Sequence, residues 1–325
     1  MKLIKSLNEW LNNMQKLIVL TGPTAVGKSQ LSIELAKRLG GEIISADSMQ
    51  VYKYMNIGTD KITPEKMQGV PHHLIDFLEP SEEFNVFMFQ KLVKEAISDI
   101  TKRGKVPIIV GGSGFYIQAV LYDIDFTETD EDDSYRKELE KRALSEGAHA
   151  LHEELKAIDK ESYETIHENN VKRVIRALEY YHKTGKPISQ HNKEQKERTS
   201  PFDFRYFVLT DDRKTLYSRI DKRVDKMMEE GLLEETKSLL DMGIPLSSTA
   251  SKSLGYRELF DYLSGVTDLD RAVNLIKQNT RHFAKRQLTW FKGEKDVIWI
   301  DKRDFDHDDE LILKEMIRIY EQGNV

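Results

Sequence analysis

The residues best fitted to do chemistry are Gly22-Pro23-Thr24-Ala25-Val26-Gly27-Lys28-Ser29, set directly behind the apolar run Leu17-Ile18-Val19-Leu20. Their spacing is G-x-x-x-x-G-K-[ST], a phosphate-binding loop (P-loop) between a strand and a helix. Gly22 and Gly27 let the backbone turn its N–H groups inward, and the following helix adds the partial positive charge of its N-terminus. A di- or triphosphate fits such a loop. Lys28 would neutralise the outer phosphates, and the Ser29 hydroxyl is the usual protein ligand to a Mg²⁺ that otherwise keeps waters and phosphate oxygens. An ordinary glycine turn is the competing reading, and the strand–loop–helix context weighs against it. The loop by itself points to nucleotide binding, ATP first, and does not say what happens to the phosphate.

Further candidates lie where a parallel sheet would bring them to the same edge. Asp47 follows the run Ile43-Ile44-Ser45-Ala46, just beyond the carboxyl end of a strand, where ligands bind in open sheets. It reads as a general base or hydrogen-bond acceptor for a nucleophile, or as a turn or helix cap. Gly111-Gly112-Ser113-Gly114 follows another strand, and its glycines permit close approach of something bulky. Ser113 is a contact candidate there, beside the plainer reading of a glycine turn. His72 and His73 are adjacent and so face opposite ways on a strand, which makes them structural rather than metal ligands. Basic residues recur one turn apart: Lys172, Arg173 and Arg176; Arg219 and Arg223; Lys277, Arg281 and Lys285. Arg271 to Lys292 holds six lysines and arginines and no acid, which favours a polyanion partner over a solvated face.

The elements that position these groups are short β-branched runs separated by helical segments: Leu17–Leu20, Glu42–Ser45, His73–Phe77, Val106–Val110, Tyr206–Leu209 and Val297–Ile300. That alternation predicts an α/β fold with a P-loop NTPase-like parallel sheet and crossover helices. The first helix is expected over Lys28–Leu39, ended by Gly40-Gly41. Between about 125 and 200 the strand signals give way to helical periodicities, first Leu144, Leu151, Leu155 and Ile158, then Val171, Val174, Ile175 and Leu178. The expected organisation is a catalytic core of 14–124 plus 200–300, a helical insertion over 125–199, a C-terminal helix within 301–325 and a leader over 1–13.

The chain has 325 residues, no cysteine and a formal net charge of −6. Disulfides, thiolate metal sites and zinc fingers are therefore excluded, and a reduced, cytoplasmic setting is compatible. No apolar run approaches a membrane span, and the first residues lack a signal-peptide core, so no membrane partner is expected. The negative total hides an uneven distribution: Glu128, Asp130, Glu131, Asp132 and Asp133 form an acidic run, against the basic stretch after Arg271.

Taken in order, the P-loop, Asp47–Tyr52, Met55–Thr59, Gly69–Asp76, Gly111–Tyr116, Arg173–Glu179, Gly255–Glu258 and Arg281–Phe291 resemble the motifs of the tRNA dimethylallyltransferases, or isopentenyltransferases. The resemblance spans Leu17 to Trp299, and Lys252-Ser253-Leu254 departs from its pattern. It implies Mg²⁺-dependent transfer of the allylic group of dimethylallyl diphosphate to the exocyclic amine of the adenosine beside the anticodon. On that footing Gly22 to Ser29 would hold the departing diphosphate, joined by Arg223 and Arg219. Asp47 would act as base, Thr24 would sit between the substrates, and Lys28 and Arg223 would stabilise the leaving group. The resemblance also implies RNA contacts at Asp47, Ser48, Met49, Gln50, Ser113, Arg136, Lys172, Arg173, Val174, Ile175, Arg176, Lys252, Gly255, Tyr256, Arg257, Lys285, Arg286 and Gln287. The insertion would grip the anticodon stem-loop of a tRNA bound by a monomer. A P-loop kinase of a nucleoside or small metabolite is the main alternative. An adenylate isopentenyltransferase and a GTPase-like RNA-binding module stand behind it.

Overall fold

The run before the phosphate loop forms β1 (Gln15–Thr21), and Leu17 to Thr21 are all buried. A strand buried on both faces needs helices above and below it, which is the arrangement of a parallel sheet. The computed structural model, which describes residues 14–126 and 134–322, has that arrangement. Its sheet comprises β1, β2 (Gly41–Ala46), β3 (His72–His73), β4 (Val106–Gly111), β5 (Phe202–Thr210) and β6 (Val297–Asp301). They lie in the order β3-β2-β4-β1-β5-β6, and every pair is parallel. Residues 1–13 and the acidic run Glu128 to Asp133 lie outside the described residues.

The described residues divide into two compact units, one of 14–121 with 201–322 and one within 122–200. In the first, α1 (Lys28–Leu39) starts at Gly27 and ends at Gly40, whose φ of 61° places it in the left-handed region that closes helices. Leu31, Ile33 and Leu35 of α1 enter the core with Ile18, Leu20, Ile108 and Phe207 of the sheet. A short α2 (Pro64–Met67) leads to β3, and α3 (Val86–Lys102) and α4 (Gly114–Leu121) follow. The second unit holds five helices among the described residues: α5 (Ser134–Ser145), α6 (Ala148–Ile158), α7 (Lys160–Thr165), α8 (Val171–Thr184) and α9 (Ile188–Lys196). The chain returns to the sheet through β5 and continues with α10 (Arg213–Glu229), α11 (Leu232–Asp241), α12 (Tyr256–Leu263), α13 (Leu269–Lys292) and, after β6, α14 (Asp309–Gln322). No helix among the described residues is long and apolar enough to cross a membrane.

Two sequence expectations change. The strand expected over His73–Phe77 stops at His73, because Leu74 and Asp76 adopt φ of 60° and 59°. That segment folds onto the Asp47 loop instead: the amides of Asp76 and Phe77 donate to the carbonyls of Gln50 and Val51. Leu144 is not a core residue either; it sits near the end of α5 and is 90% exposed, and Leu139 takes the inward position. His72 and His73 are structural, as expected: one ring bonds the Val70 carbonyl and the other the buried Glu42 carboxylate.

Gly111 ends β4 between Thr21 of β1 and Ala46 of β2. A Cβ there would lie 2.3 Å from the Ala46 carbonyl oxygen, and neither backbone can move aside in a central strand. Gly111→Ala is expected to cost about 1–3 kcal/mol, as over-packing does, and to lower the thermal unfolding midpoint. Unchanged unfolding would show that the strand ends have slack.

Candidate active site

The phosphate loop takes its shape from backbone conformations that glycine and its neighbours supply. Gly22 and Gly27 have φ of 142° and 98°, and Ala25 joins them at 63°. Val26 is wholly buried in the core, so its side chain anchors the loop and only its backbone faces a ligand. The Lys28 ammonium curls over the loop and donates to the carbonyls of Gly22 and Pro23 at 3.0 and 2.8 Å. Burial, and next the Arg223 cation, bring Lys28 down to about 8, against the opposing carboxylates of Asp47 and Asp60.

Arg223 reaches the loop from α10, where it donates to the Thr24 hydroxyl at 3.1 Å and pairs with Asp60 at 3.2 Å. Arg219, one turn earlier, instead pairs with the buried Asp211 carboxylate at 2.7 Å. Asp47 caps its own turn, its carboxylate accepting from the Met49 amide at 3.0 Å. Burial pushes that carboxyl above its usual range, although the Met49 amide, Arg223 and Lys28 pull the other way. The Asp47 turn is held by Gln50, whose side chain bonds the Ser45 hydroxyl and the Thr59 carbonyl at 3.1 and 3.2 Å. Ser113 is tied to the same place, its amide donating to the Ala46 carbonyl. The sheet edge thus gathers one partly covered carboxylate, two cations and a hydroxyl beside the loop.

The residues assigned to RNA sort into two groups. Lys172, Arg173 and Arg176 are exposed on α8, and Lys285 and Arg286 are exposed on α13. Lys285 and Arg286 line a groove of about 530 Å³ with His282, Thr289 and Trp290. Others are buried or bonded to partners within the fold. Val174 and Ile175 are buried in the core of the second unit, and Arg136 is paired with the buried Glu179 at 2.8 Å. Tyr256 is wholly buried, its hydroxyl donating to Glu235 at 2.6 Å. Gly255, at φ 93°, begins α12 with its amide bonded to Glu258. Arg257 is half-exposed beside the same Glu258, and the Lys252 ammonium folds back on the Ser247 carbonyl. Gln287 is buried, its carbonyl oxygen accepting from the Thr24 amide at 2.9 Å and its amide donating to the Gly112 carbonyl at 3.0 Å. It straps the phosphate loop to the end of β4.

The basic stripe on α13 is also less free than its composition implies. Lys277 pairs with Asp225 at 2.5 Å, and Arg281 pairs with Asp221. Both acids come from α10, and nothing near α13 in sequence announces them. Trp290 was not singled out by the sequence. Its indole packs on Gly114 and edge-to-face on Phe115. Burial raises the Glu294 carboxyl, four residues on, to about 7. Trp290 lies in the Arg281–Phe291 segment that carries the family resemblance, and its residue type alone gives it no role.

Mg²⁺ fits one position. The Ser29 hydroxyl lies exposed at the first turn of α1, and among the described residues it makes no hydrogen bond. No cluster of three or more potential metal-binding His, Cys, Asp or Glu occurs among the described residues. A single hydroxyl suits an ion that takes its other ligands from water and phosphate.

Because Lys28 sits near 8, a bound diphosphate would hold it protonated and raise its pKa. Affinity for an organic diphosphate is therefore expected to be full below about pH 8 and to fall as pH rises above it. Calorimetric titration across that range checks this, and Lys28→Arg should flatten the profile, since guanidinium stays charged.

The family model described as IPP transferase matches residues 50–294. A tRNA dimethylallyltransferase of Lachnoclostridium phytofermentans is 57% identical over 312 residues, covering 96% of this chain and 99% of its own. That of Geobacillus thermodenitrificans is 52% identical, covering 89% and 91%. Among solved structures, the tRNA isopentenylpyrophosphate transferase of Bacillus halodurans aligns with a TM-score of 0.71 at 45% identity, covering 95% of this chain and 97% of that one. A eukaryotic dimethylallyltransferase caught acting on tRNA aligns with a TM-score of 0.78 at 35% identity, covering 88% and 74%. A family match over three quarters of the length, with the loop, Asp47 and Arg223 meeting at one sheet edge, leads to one conclusion: this chain belongs to the IPP transferase family.

Proposed function

We propose that this protein transfers the dimethylallyl group of dimethylallyl diphosphate to the exocyclic amine of the adenosine beside the anticodon of a tRNA. The observation that carries the proposal is the convergence of Lys28, Arg223, Thr24 and Asp47 at the phosphate loop in a chain of this family. In the reaction the allylic C–O bond breaks, and its electron pair leaves with the diphosphate. A new C–N bond forms to the adenine amine, whose proton must go to a base. The two cations would serve the first event. Loop amides, Lys28 and Arg223 would neutralise charge as it develops on the departing oxygen, which is where electrostatic stabilisation counts most. Mg²⁺ held by Ser29 would add Lewis-acid stabilisation of the same diphosphate.

Asp47 is suited to the second event. An exocyclic amine is a weak nucleophile because its lone pair is delocalised into the ring, so losing its proton to a nearby carboxylate helps. A carboxyl raised by burial is a better base than a solvated one, while the Arg223 and Lys28 cations favour its ionised form. Thr24, bonded through its hydroxyl to Arg223, would stand between donor and acceptor. Lys285 and Arg286, at the groove with Trp290, and the exposed Lys172, Arg173 and Arg176 support an RNA partner by their charge. The target base must leave its stack to reach Asp47.

Incubation with labelled dimethylallyl diphosphate and either unmodified tRNA, AMP or ATP tests the proposal. Label in tRNA supports it; prenylation of free AMP alone, or turnover of ATP alone, overturns it. Asp47→Ala is expected to lower kcat by about 10²–10⁴-fold while tRNA affinity is kept, measured by single-turnover kinetics and filter binding. Neutralising Lys285 and Arg286 together should weaken tRNA binding and reduce its salt slope by about two phosphate contacts. An unchanged slope would place both side chains in solvent.

A further inference from the structure

Glu235 lies on α11, outside every motif considered above, yet its carboxylate is one of the most heavily bonded among the described residues. It accepts from the amides of Asn56 at 2.8 Å, Ile57 at 2.9 Å and Gly58 at 3.1 Å, and from the Tyr256 hydroxyl at 2.6 Å. Three consecutive N–H groups converging on one carboxylate make an anion nest. The fit is tight: a Cβ on Gly58 would lie 2.5 Å from the Tyr256 ring. A surface carboxylate has no need of such a cradle. What the cradle fixes is the stretch that follows. The Thr59 hydroxyl bonds back to the Met55 carbonyl at 2.6 Å, and the Thr59 and Asp60 carbonyls both accept from the Gln50 side chain. Asp60 then presents its carboxylate to Arg223 at 3.2 Å, and the same guanidinium nitrogen donates to Thr24 of the phosphate loop.

We propose that Glu235 is a positioning residue for transfer: by clamping Asn56-Ile57-Gly58 it sets Asp60, which aims the Arg223 guanidinium at Thr24 and the diphosphate. This rests on Arg223 acting on the diphosphate, as proposed above. Arg223 comes from a long, mobile side chain that could adopt many rotamers, and a carboxylate on a fixed loop removes most of them before the donor arrives. Asp60 itself is more than half exposed, so its position is set by its backbone and not by packing. The chain of contacts also starts at Tyr256, the first residue of α12, next to Arg257, for which the family resemblance implies an RNA contact. The same carboxylate thus ties that segment to the donor site.

The test is steady-state kinetics on the full-length protein, varying dimethylallyl diphosphate and an anticodon stem-loop separately. Glu235→Gln turns one acceptor into a donor facing backbone N–H groups. It is expected to raise the KM for the diphosphate by about tenfold, the worth of a lost hydrogen bond to a charged group, with the stem-loop KM within about twofold. A role in folding alone would lower the active fraction, and so kcat, with both KM values unchanged, and would overturn the proposal. In an Arg223→Gln background, Glu235→Gln should add nothing; multiplicative effects would mean that Glu235 does not act through Arg223. If Glu235→Gln does not fold, Asp60→Asn cuts the same relay at an exposed side chain. A higher diphosphate KM supports the relay. An unchanged KM, or a lower one from an Asp60 that merely competes for Arg223, overturns it. If Arg223→Gln itself leaves the diphosphate KM unaltered, the reading of Arg223 fails instead, which separates the two failures.

Discussion

The carboxamide of Gln287 joins three segments that lie far apart in sequence. One end holds the Thr24 amide of the phosphate loop, and the other holds the Gly112 carbonyl at the end of β4. The approach is possible only because residue 112 lacks a side chain: a Cβ there would lie 2.1 Å from the Gln287 nitrogen. Through this strap α13 sets the distance between the phosphate loop and the loop after β4. The same helix carries Lys285, Arg286 and Trp290 at the groove, so one buried amide links that helix to the phosphate loop. Its burial makes it stringent, since an unmet amide away from water costs more than the bond gains.

Around this strap the site solves an electrostatic problem. Two cations, Lys28 and Arg223, are near one another, and burial and then their mutual repulsion press on Lys28. Asp47 and Asp60 offset part of that repulsion, and the Gly22 and Pro23 carbonyls take the ammonium hydrogens. The excess positive potential that remains is what an incoming diphosphate would neutralise. Asp47 gains from the same arrangement. Burial raises its basicity, and the Met49 amide, Arg223 and Lys28 oppose that rise.

The basic face of α13 shows how charge is apportioned between folding and binding. Lys277 and Arg281 meet Asp225 and Asp221, which lie four residues apart on α10, so the two helices are zipped by complementary charge at one end. Past that end Lys285 and Arg286 have no such partners among the described residues and face the groove. On one helix, then, Lys277 and Arg281 are paired within the fold while Lys285 and Arg286 are exposed at the groove.

Local features were legible in the sequence because local physics decides them. A loop that must turn its amides inward needs glycine at fixed spacing, and α1 starts and stops at Gly27 and Gly40 because those residues alone adopt the required backbone cheaply. The parallel sheet, the alternation of strands and helices and the position of Asp47 at a strand end follow from the same short-range patterns. Tertiary structure decided every matter of partnership. Gln287 became a strap, Tyr256 a buried donor, Arg136 the partner of Glu179 and Arg219 that of Asp211. Val174 and Ile175 point into a core, while the cations beside them on α8 do not. A residue's type states which bonds it is able to make, and only the folded chain brings up the atom that takes them.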